Sequence, residues 1–503
     1  MAARRGDVSG GPGRGAGGVD GVDGVGGVDG GASGDTGGAP ARLSLATWPR
    51  QVPSDIRVVH LGIGAFHRAH QAVYTEDAGD GWGVCGVSQR SGDVVDRLAP
   101  QDGLYSVLVR GPGEESARVI GVVRRLMFAA ADPGAVVDAI ADPAVRVVSL
   151  TVTEKGYRHD PATGRLRLTD PEIARDIAGR PPRTVIGQIV RGLAARRAPV
   201  TVLCCDNLPA NGTTVRGLVD DFAAAAGVRI GCDVTFPATM VDRITPATTP
   251  ADLTAAERLL GVRDLGAVVT EPFSQWVIED TFAAGRPAWD KAGAIFTDDV
   301  APYESMKLRL LNGAHSMLAY LGALAGFELV ADAIGPLGGA IGRLMDEDVT
   351  PTLAVPRGFD LVAYKASLLD RFANPALRHR TTQIAMDGSQ KLPQRLLGTV
   401  RDRLAAGAEP RWAALAVAAW MRYVWAGAPD GGGAPLPLDD PLRDRLRASV
   451  ADLTDPGAVC AALLAIPEIF GPDLRESSVF SGLVADWLAR LTRDGSLHTT
   501  INP

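Results

Sequence analysis

Along the first 300 residues, apolar side chains come in short runs that stop at glycine or at a polar pair. Beyond them they recur at helical spacing over long stretches. IRVVHLGIG (56–64) closes on Gly62 and Gly64, and AFHRAHQAVYTEDA after it reads as a helix. WGVCGVSQR (82–90) reads as the second strand, and YSVLVR (105–110) and RVIGVV (118–123) as further ones. AVRVVSLTVTEKGY (144–157) is a buried strand ending at Thr153 and Glu154. PVTVLCCDNLPANG (199–212) repeats that form, stopping at Asp206 and Asn207 before a turn and a helix. From Pro302 onward helical patterns cover 303–325, 328–346, 358–372, 392–406, 410–426, 440–453 and 479–493. Strands first and helices later predict an α/β fold: a Rossmann-type N-terminal domain over 43–301 and a mostly α-helical domain over 302–503.

Strand, glycine turn, helix is the opening of a dinucleotide-binding unit, because glycines let the backbone approach a pyrophosphate. His67 stands where a third glycine would be, and an ordinary strand-to-helix turn reads the same way. At the end of the second strand the chain offers Gln89, Arg90 and Ser91, with Asp93 slightly later. Asp93 would favour NAD and Arg90 the 2′-phosphate of NADP, and both stay open. Polar residues at the carboxyl ends of strands are where open α/β sheets hold ligands, although Asp206 and Asn207 also suit a turn and a helix cap.

YESMKLRLLNGAHSMLAY (303–320) gathers the chemistry. At about 100° per residue, Glu304, Lys307, Asn312 and His315 share an arc of about 140°. Leu308, Leu311 and Leu318 crowd that arc, and Met306, Leu310 and Met317 cover the other side. Such a helix is buried, and a buried lysine has its ammonium disfavoured, which suits it to proton transfer. The same spacing also fits a helix end whose lysine snorkels to water while Asn and His satisfy nearby backbone.

Composition narrows the classes. Apolar residues make up 46% and charged residues 22%, as in ordinary globular proteins. A net charge of −7 speaks against a nucleic-acid surface or a basic membrane face. Cys85, Cys204, Cys205, Cys232 and Cys460 have no metal-type spacing, and an odd count without a secretory segment points to reduced thiols in the cytoplasm. Residues 1–42, Gly-rich with a Gly-Val-Asp theme, bury too little apolar surface to order, so a disordered tail is expected there.

GIGAFHRAH, SLTVTEKGY, CDNLPANG, MVDRITPATTP, EPFSQWVIED and MKLRLLNGAHS, in this order, resemble the signature blocks of the long-chain polyol (mannitol) dehydrogenase family over residues 45–495. EPFSQWVIEDTFAAGRPAWDKAGAIF and RHRTTQIAMDGSQKLPQRLL are most similar to its fructuronate reductase (D-mannonate oxidoreductase) branch, whereas CDNLPANG is closer to the polyol branch. The resemblance implies an NAD(P)-dependent enzyme, with NAD the expected cofactor and NADP not set aside. It makes Lys307 the general acid/base, Asn207 and Asn312 the donors to the reacting oxygen, His315 a substrate-positioning group and Glu304 a carboxylate on a proton route. It also implies substrate contacts at Asp242 and Lys391, and cofactor contacts at Gly62, Gly64, Phe66, His67, Arg68, Arg90, Thr153 and Asp206. No metal is implied. The expected partners are a small sugar acid or polyol, without nucleic acid or membrane, for a monomer or small homo-oligomer.

Polyol members tend to carry Arg-Leu where this chain has Gln383-Ile384. A keto-uronate carries a carboxylate that needs a cationic partner, ideally a bidentate guanidinium. RHRTTQIAMDGSQK supplies Arg378, Arg380 and Lys391, together with His379, and by charge pattern alone it reads as a solvated turn with two surface arginines. The resemblance to the fructuronate reductase branch, with Gln383 in place of arginine, implies instead that Lys391 and at least one of Arg378 or Arg380 bind that carboxylate. The alternative is a mannitol- or arabinitol-type polyol:ketose dehydrogenase.

Overall fold

The computed structural model describes residues 40–160, 163–426 and 435–493, so all but the last three residues of the expected tail lie outside the described part. Twelve strands occur there: β1 Asp55–Leu61, β2 Trp82–Ser88, β3 Tyr105–Gly111, β4 Glu114–Ile120, β5 Val123–Phe128, β6 Val147–Leu150, β7 Val200–Cys204, β8 Val234–Thr235, β9 Thr239–Asp242, β10 Val268–Thr270, β11 Gln275–Glu279 and β12 Ile295–Thr297. Six of them form one sheet in the order β5-β2-β1-β6-β7-β8, with every pair parallel. This is the doubly wound order, in which the strand sequence reverses direction between β1 and β6. Both faces are covered: Val136, Ile140, Ile189, Leu193, Leu218 and Phe222 pack on one side, Ala72, Val73, Tyr74 and Trp276 on the other. Two three-stranded sheets, β10-β3-β4 and β12-β11-β9, complete the N-terminal part.

Three local readings are corrected. RVIGVV is not one strand. The Gly121 amide donates to Glu76 Oε2 at 2.9 Å, so β4 leaves to pair antiparallel with β3 and β5 starts afresh beside β2. The strand within 144–157 ends at Leu150, because Thr153 takes a φ of 65° and Glu154–Tyr157 form a 3₁₀ turn. The helix after the glycine turn is broken into Ala65–Ala69 and Gln71–Ala78 at His70 (φ −124°, ψ −89°), whose Nε2 donates to the Gln275 carbonyl at 3.0 Å.

From Ala301 the chain is helical, as its patterning predicts. Arg411–Trp425 (RWAALAVAAWMRYVW) is apolar almost all round and buried almost all round; Ala314–Leu324 and Ser478–Arg493 pack against it. Among the described residues no helix is long and apolar enough to cross a membrane.

Candidate active site

Lys307 opens a π-helical segment, Lys307–Gly313, set between the α-helices Ala301–Met306 and Ala314–Leu324. A regular α-helix was the expectation here. The wider i→i+5 turn brings Lys307 and Asn312 into line along the helix, and π segments recur at functional sites for such reasons. Gly313 makes the turn compatible with its surroundings, since a Cβ there would lie 2.9 Å from the Arg395 carbonyl oxygen. That carbonyl belongs to a second π segment, Pro393–Leu397, which the helix Lys307–Gly313 touches directly.

Lys307 is 5% exposed, and burial pushes its ammonium pKa down to about 8. Asp242 and Glu304 oppose this shift, while Arg395 and Arg371 add to it. Its Nζ donates to Asn207 Oδ1, across the seam from the end of β7. Glu304, one turn before, accepts from the Ala210 amide at 3.2 Å, and burial raises its carboxyl pKa. Asn312 Oδ1 and His315 Nε2 are buried with no hydrogen-bond partner in the protein. Unpaired buried polar atoms are costly, and these two, on the helical run that begins at Lys307, are free to meet a ligand. The His315 ring lies 5.1 Å from Phe372 and 5.0 Å from His379, and burial keeps His315 neutral.

Asp242 lies on the same seam in an ion-pair network that the sequence reading missed. Arg371 donates to Asp242 at 2.8 and 2.9 Å and to Glu271 at 2.8 and 2.9 Å, and all three are buried. Both carboxylate oxygens of Asp242 are therefore engaged by Arg371. The Arg371 guanidinium also lies over Phe273, 4.1 Å from the ring centre. A signal for Arg371 existed: it shares the buried face of its helix Leu361–Phe372 with Tyr364, Leu368 and Phe372.

The test for a dinucleotide is the turn after β1. Gly62 has a φ of 101°, and a Cβ on it would come within 2.1 Å of the Thr151 carbonyl oxygen. The close pass of β1 over the end of β6 therefore requires glycine. At Gly64 an added Cβ would meet nothing nearer than 3.8 Å, which leaves the backbone there open to a phosphate. The turn fits a dinucleotide. Beneath it, His60 Nδ1 accepts from Ser149 Oγ at 2.8 Å and its Nε2 donates to Thr151 Oγ1 at 2.8 Å.

The other cofactor candidates follow β1, β2, β6 and β7. His67 is buried and stacked on His60 at 3.4 Å, with both ring nitrogens unpartnered. Arg68 turns inward, its Nε donating to the Gly64 carbonyl at 3.3 Å and its Nη1 to the Gly266 carbonyl, and it lies 5.5 Å from the Tyr105 ring of the second sheet. Phe66 stacks on His70 at 5.1 Å. Arg90 is exposed beside β2, where Gln89 donates to Gln188 at 3.1 Å. Asp206 accepts from Tyr157 Oη (2.6 Å), the Val152 amide (2.8 Å) and the Thr153 amide (3.2 Å), with burial pushing its pKa up to about 6. It therefore ties the ends of β6 and β7 together and holds the backbone from which Asn207 projects.

The arginine clamp is also corrected. Arg378 and Arg380 are both exposed. Arg378 occupies a left-handed turn, and Arg380 pairs with Glu328 at 3.3 Å because its segment runs beside Leu329 on the outer surface. Lys391 is partly buried, donates to the Ile384 carbonyl at 3.2 Å, and has its pKa pushed down to about 8, chiefly by burial. Arg395, one turn on, went unnoticed in the sequence.

Comparison with known proteins agrees with this architecture. The mannitol dehydrogenase Rossmann domain matches residues 56–291, and the mannitol dehydrogenase C-terminal domain matches residues 299–492. The chain belongs to the mannitol dehydrogenase family and is an oxidoreductase acting on a CH–OH group. It is similar to the D-mannonate oxidoreductase of Escherichia coli (strain K12), at 44% identity over 88% of this chain and 94% of that one. An uncharacterized oxidoreductase of the same organism, YdfI, is 46% identical over 88% and 94%. The structure of Pseudomonas fluorescens mannitol 2-dehydrogenase in ternary complex with NAD and D-mannitol has a TM-score of 0.79. It is 37% identical, with 92% of this chain and 96% of that chain covered.

Proposed function

We propose that this oxidoreductase interconverts D-fructuronate and D-mannonate with NAD, Lys307 acting as general acid/base. The observation that carries the chemistry is a buried amine with a pKa near 8, hydrogen-bonded to Asn207 beside two orphaned polar atoms. In this reading residues 43–301 hold the dinucleotide at Gly62 and Gly64, and residues 302–503 supply the catalytic helix. The nicotinamide, when bound, gives or takes the hydride. The Lys307 ammonium donates the proton to the new alkoxide in reduction, and the neutral amine removes it from the alcohol in oxidation. Asn207, whose Oδ1 is held by Lys307, turns its amide N–H toward the same oxygen, and Asn312 supplies the second donor. His315, neutral, orients the adjoining hydroxyl, and Glu304 exchanges protons between Lys307 and water.

A sugar acid is supported by the likeness to D-mannonate oxidoreductase and by Lys391, a partly buried cation with no carboxylate within ion-pair distance among the described residues. The second reading, a polyol:ketose dehydrogenase, is favoured by the likeness to mannitol 2-dehydrogenase and by the outward position of Arg378 and Arg380. Initial rates with D-fructuronate and D-fructose, each with NADH and NADPH, separate them. Faster reduction of fructose than of fructuronate excludes the first reading.

A further inference from the structure

Within the proposed sugar-acid reading, on which this inference rests, we infer that Arg395 is the residue that recognises the substrate carboxylate, with Lys391 as its companion. Lys391 and Arg395 stand at i and i+4 where the helix Gly388–Leu392 runs into the π segment Pro393–Leu397, so both side chains leave the same face. That segment lies against Lys307–Gly313, the segment bearing the proton-transfer lysine. Arg395 Nη1 donates to Ser316 Oγ at 3.0 Å and to the Asn312 carbonyl at 3.5 Å. The guanidinium is thus fixed against residues adjoining His315 and Asn312, the two groups with orphaned buried atoms.

Neither cation has a carboxylate partner among the described residues. By contrast Arg371 is held by Asp242 and Glu271, Arg309 pairs with Asp402 and Arg380 with Glu328, while Arg243 spends its donors on the Glu271 and Ala69 carbonyls. Arg395 also depresses the pKa of Lys307, Lys391 and His315, as a charge close to all three must. Two cations one turn apart at a partly buried site repel each other, and the acidic groups that act on both, Asp387 and Glu154, lie beyond ion-pair distance. A bound carboxylate relieves that repulsion, and a guanidinium with its Nε and Nη2 donors unclaimed can grip it with two parallel hydrogen bonds. The clamp predicted from the sequence is then present in kind but not at Arg378 or Arg380.

The test compares oxidation of D-mannonate with that of D-mannonamide, which differ only in the charge at the far end of the chain. In the parent, kcat/KM for mannonate should exceed that for the amide. In Arg395→Gln the ratio should fall by roughly 30-fold or more, the smaller end of what loss of one partner of a desolvated pair costs. Damage to the π segment scales both substrates together and leaves the ratio alone. A parent that prefers mannonate, with an Arg395→Gln variant losing both substrates in proportion, overturns this role while the proposed function stands. A parent that oxidises mannitol but not mannonate overturns the proposed function and this inference with it. Should the glutamine variant not fold, Arg395→Lys keeps the charge without the fork, and a ratio equal to the parent's overturns the bidentate grip.

Discussion

Replacing Lys307 with alanine removes the side chain proposed to exchange the proton with the reacting oxygen, one whose proton affinity lies near neutral pH. Its pKa drops from the ordinary 10.5 to about 8 on burial. At about 1.4 kcal/mol per pKa unit, that is about 3 kcal/mol of relative stabilisation of the neutral amine. At pH 7 an unperturbed lysine is neutral in roughly one molecule in 3,000, whereas one with a pKa near 8 is neutral in roughly one in ten. Burial therefore raises the working base about 300-fold while leaving most molecules as the acid. The two directions should have mirrored profiles. Alcohol oxidation needs the neutral amine, so kcat/KM should climb through about pH 8 to a plateau. Ketone reduction needs the ammonium and should decline over the same window. Lys307→Ala should lower turnover by roughly a hundred- to ten-thousand-fold and abolish that inflection, while NADH binding, followed by fluorescence, is retained. Added methylamine should restore part of the activity. Turnover within a few-fold of the parent, or an inflection still near the ordinary lysine value, would refute the assignment.

Other expectations follow from the same geometry. Arg371→Leu strands Asp242 and Glu271 in the interior and should cost about 3–5 kcal/mol in denaturant unfolding. Burial already raises the Glu271 pKa against the pull of Arg371. Without Arg371 it rises further above its unfolded value, so the loss should be smaller at about pH 5 than at about pH 8. Asn207→Ala and Asn312→Ala should each slow kcat by roughly a hundredfold, and the double variant should fall short of the product of the two because they serve one oxygen. Gly62→Ala sets a Cβ against the Thr151 carbonyl; a fluorescence titration should show weakened NADH binding, with Lys307 itself untouched.

Short apolar runs ending at turns marked β1, β2, β6 and β7, four of the six strands of the parallel sheet, because a strand buried on both faces reads as a continuous apolar run. The apolar periodicity after Pro302 likewise announced the helices, and the all-round apolar character of Arg411–Trp425 put it at their centre. Within the candidate site, Glu304, Lys307, Asn312 and His315 were legible because they share one helix, where spacing in sequence is spacing in space. Asn207 came from the end of a strand, the place where an α/β sheet leaves polar residues exposed. Tertiary structure decided what spacing could not. Periodicity assumes a uniform turn, so it missed the π segments that align Lys307 with Asn312 and bring Arg395 close to both. Charge in sequence says nothing about partners: it singled out Arg378 and Arg380 and passed over Arg395, yet the fold sends the first two to the surface and sets the third against Ser316. Arg371 and Glu271 could not be paired from sequence either. Their contact closes across 100 residues, and only the packing of the helical part on the sheet decides which buried charges meet.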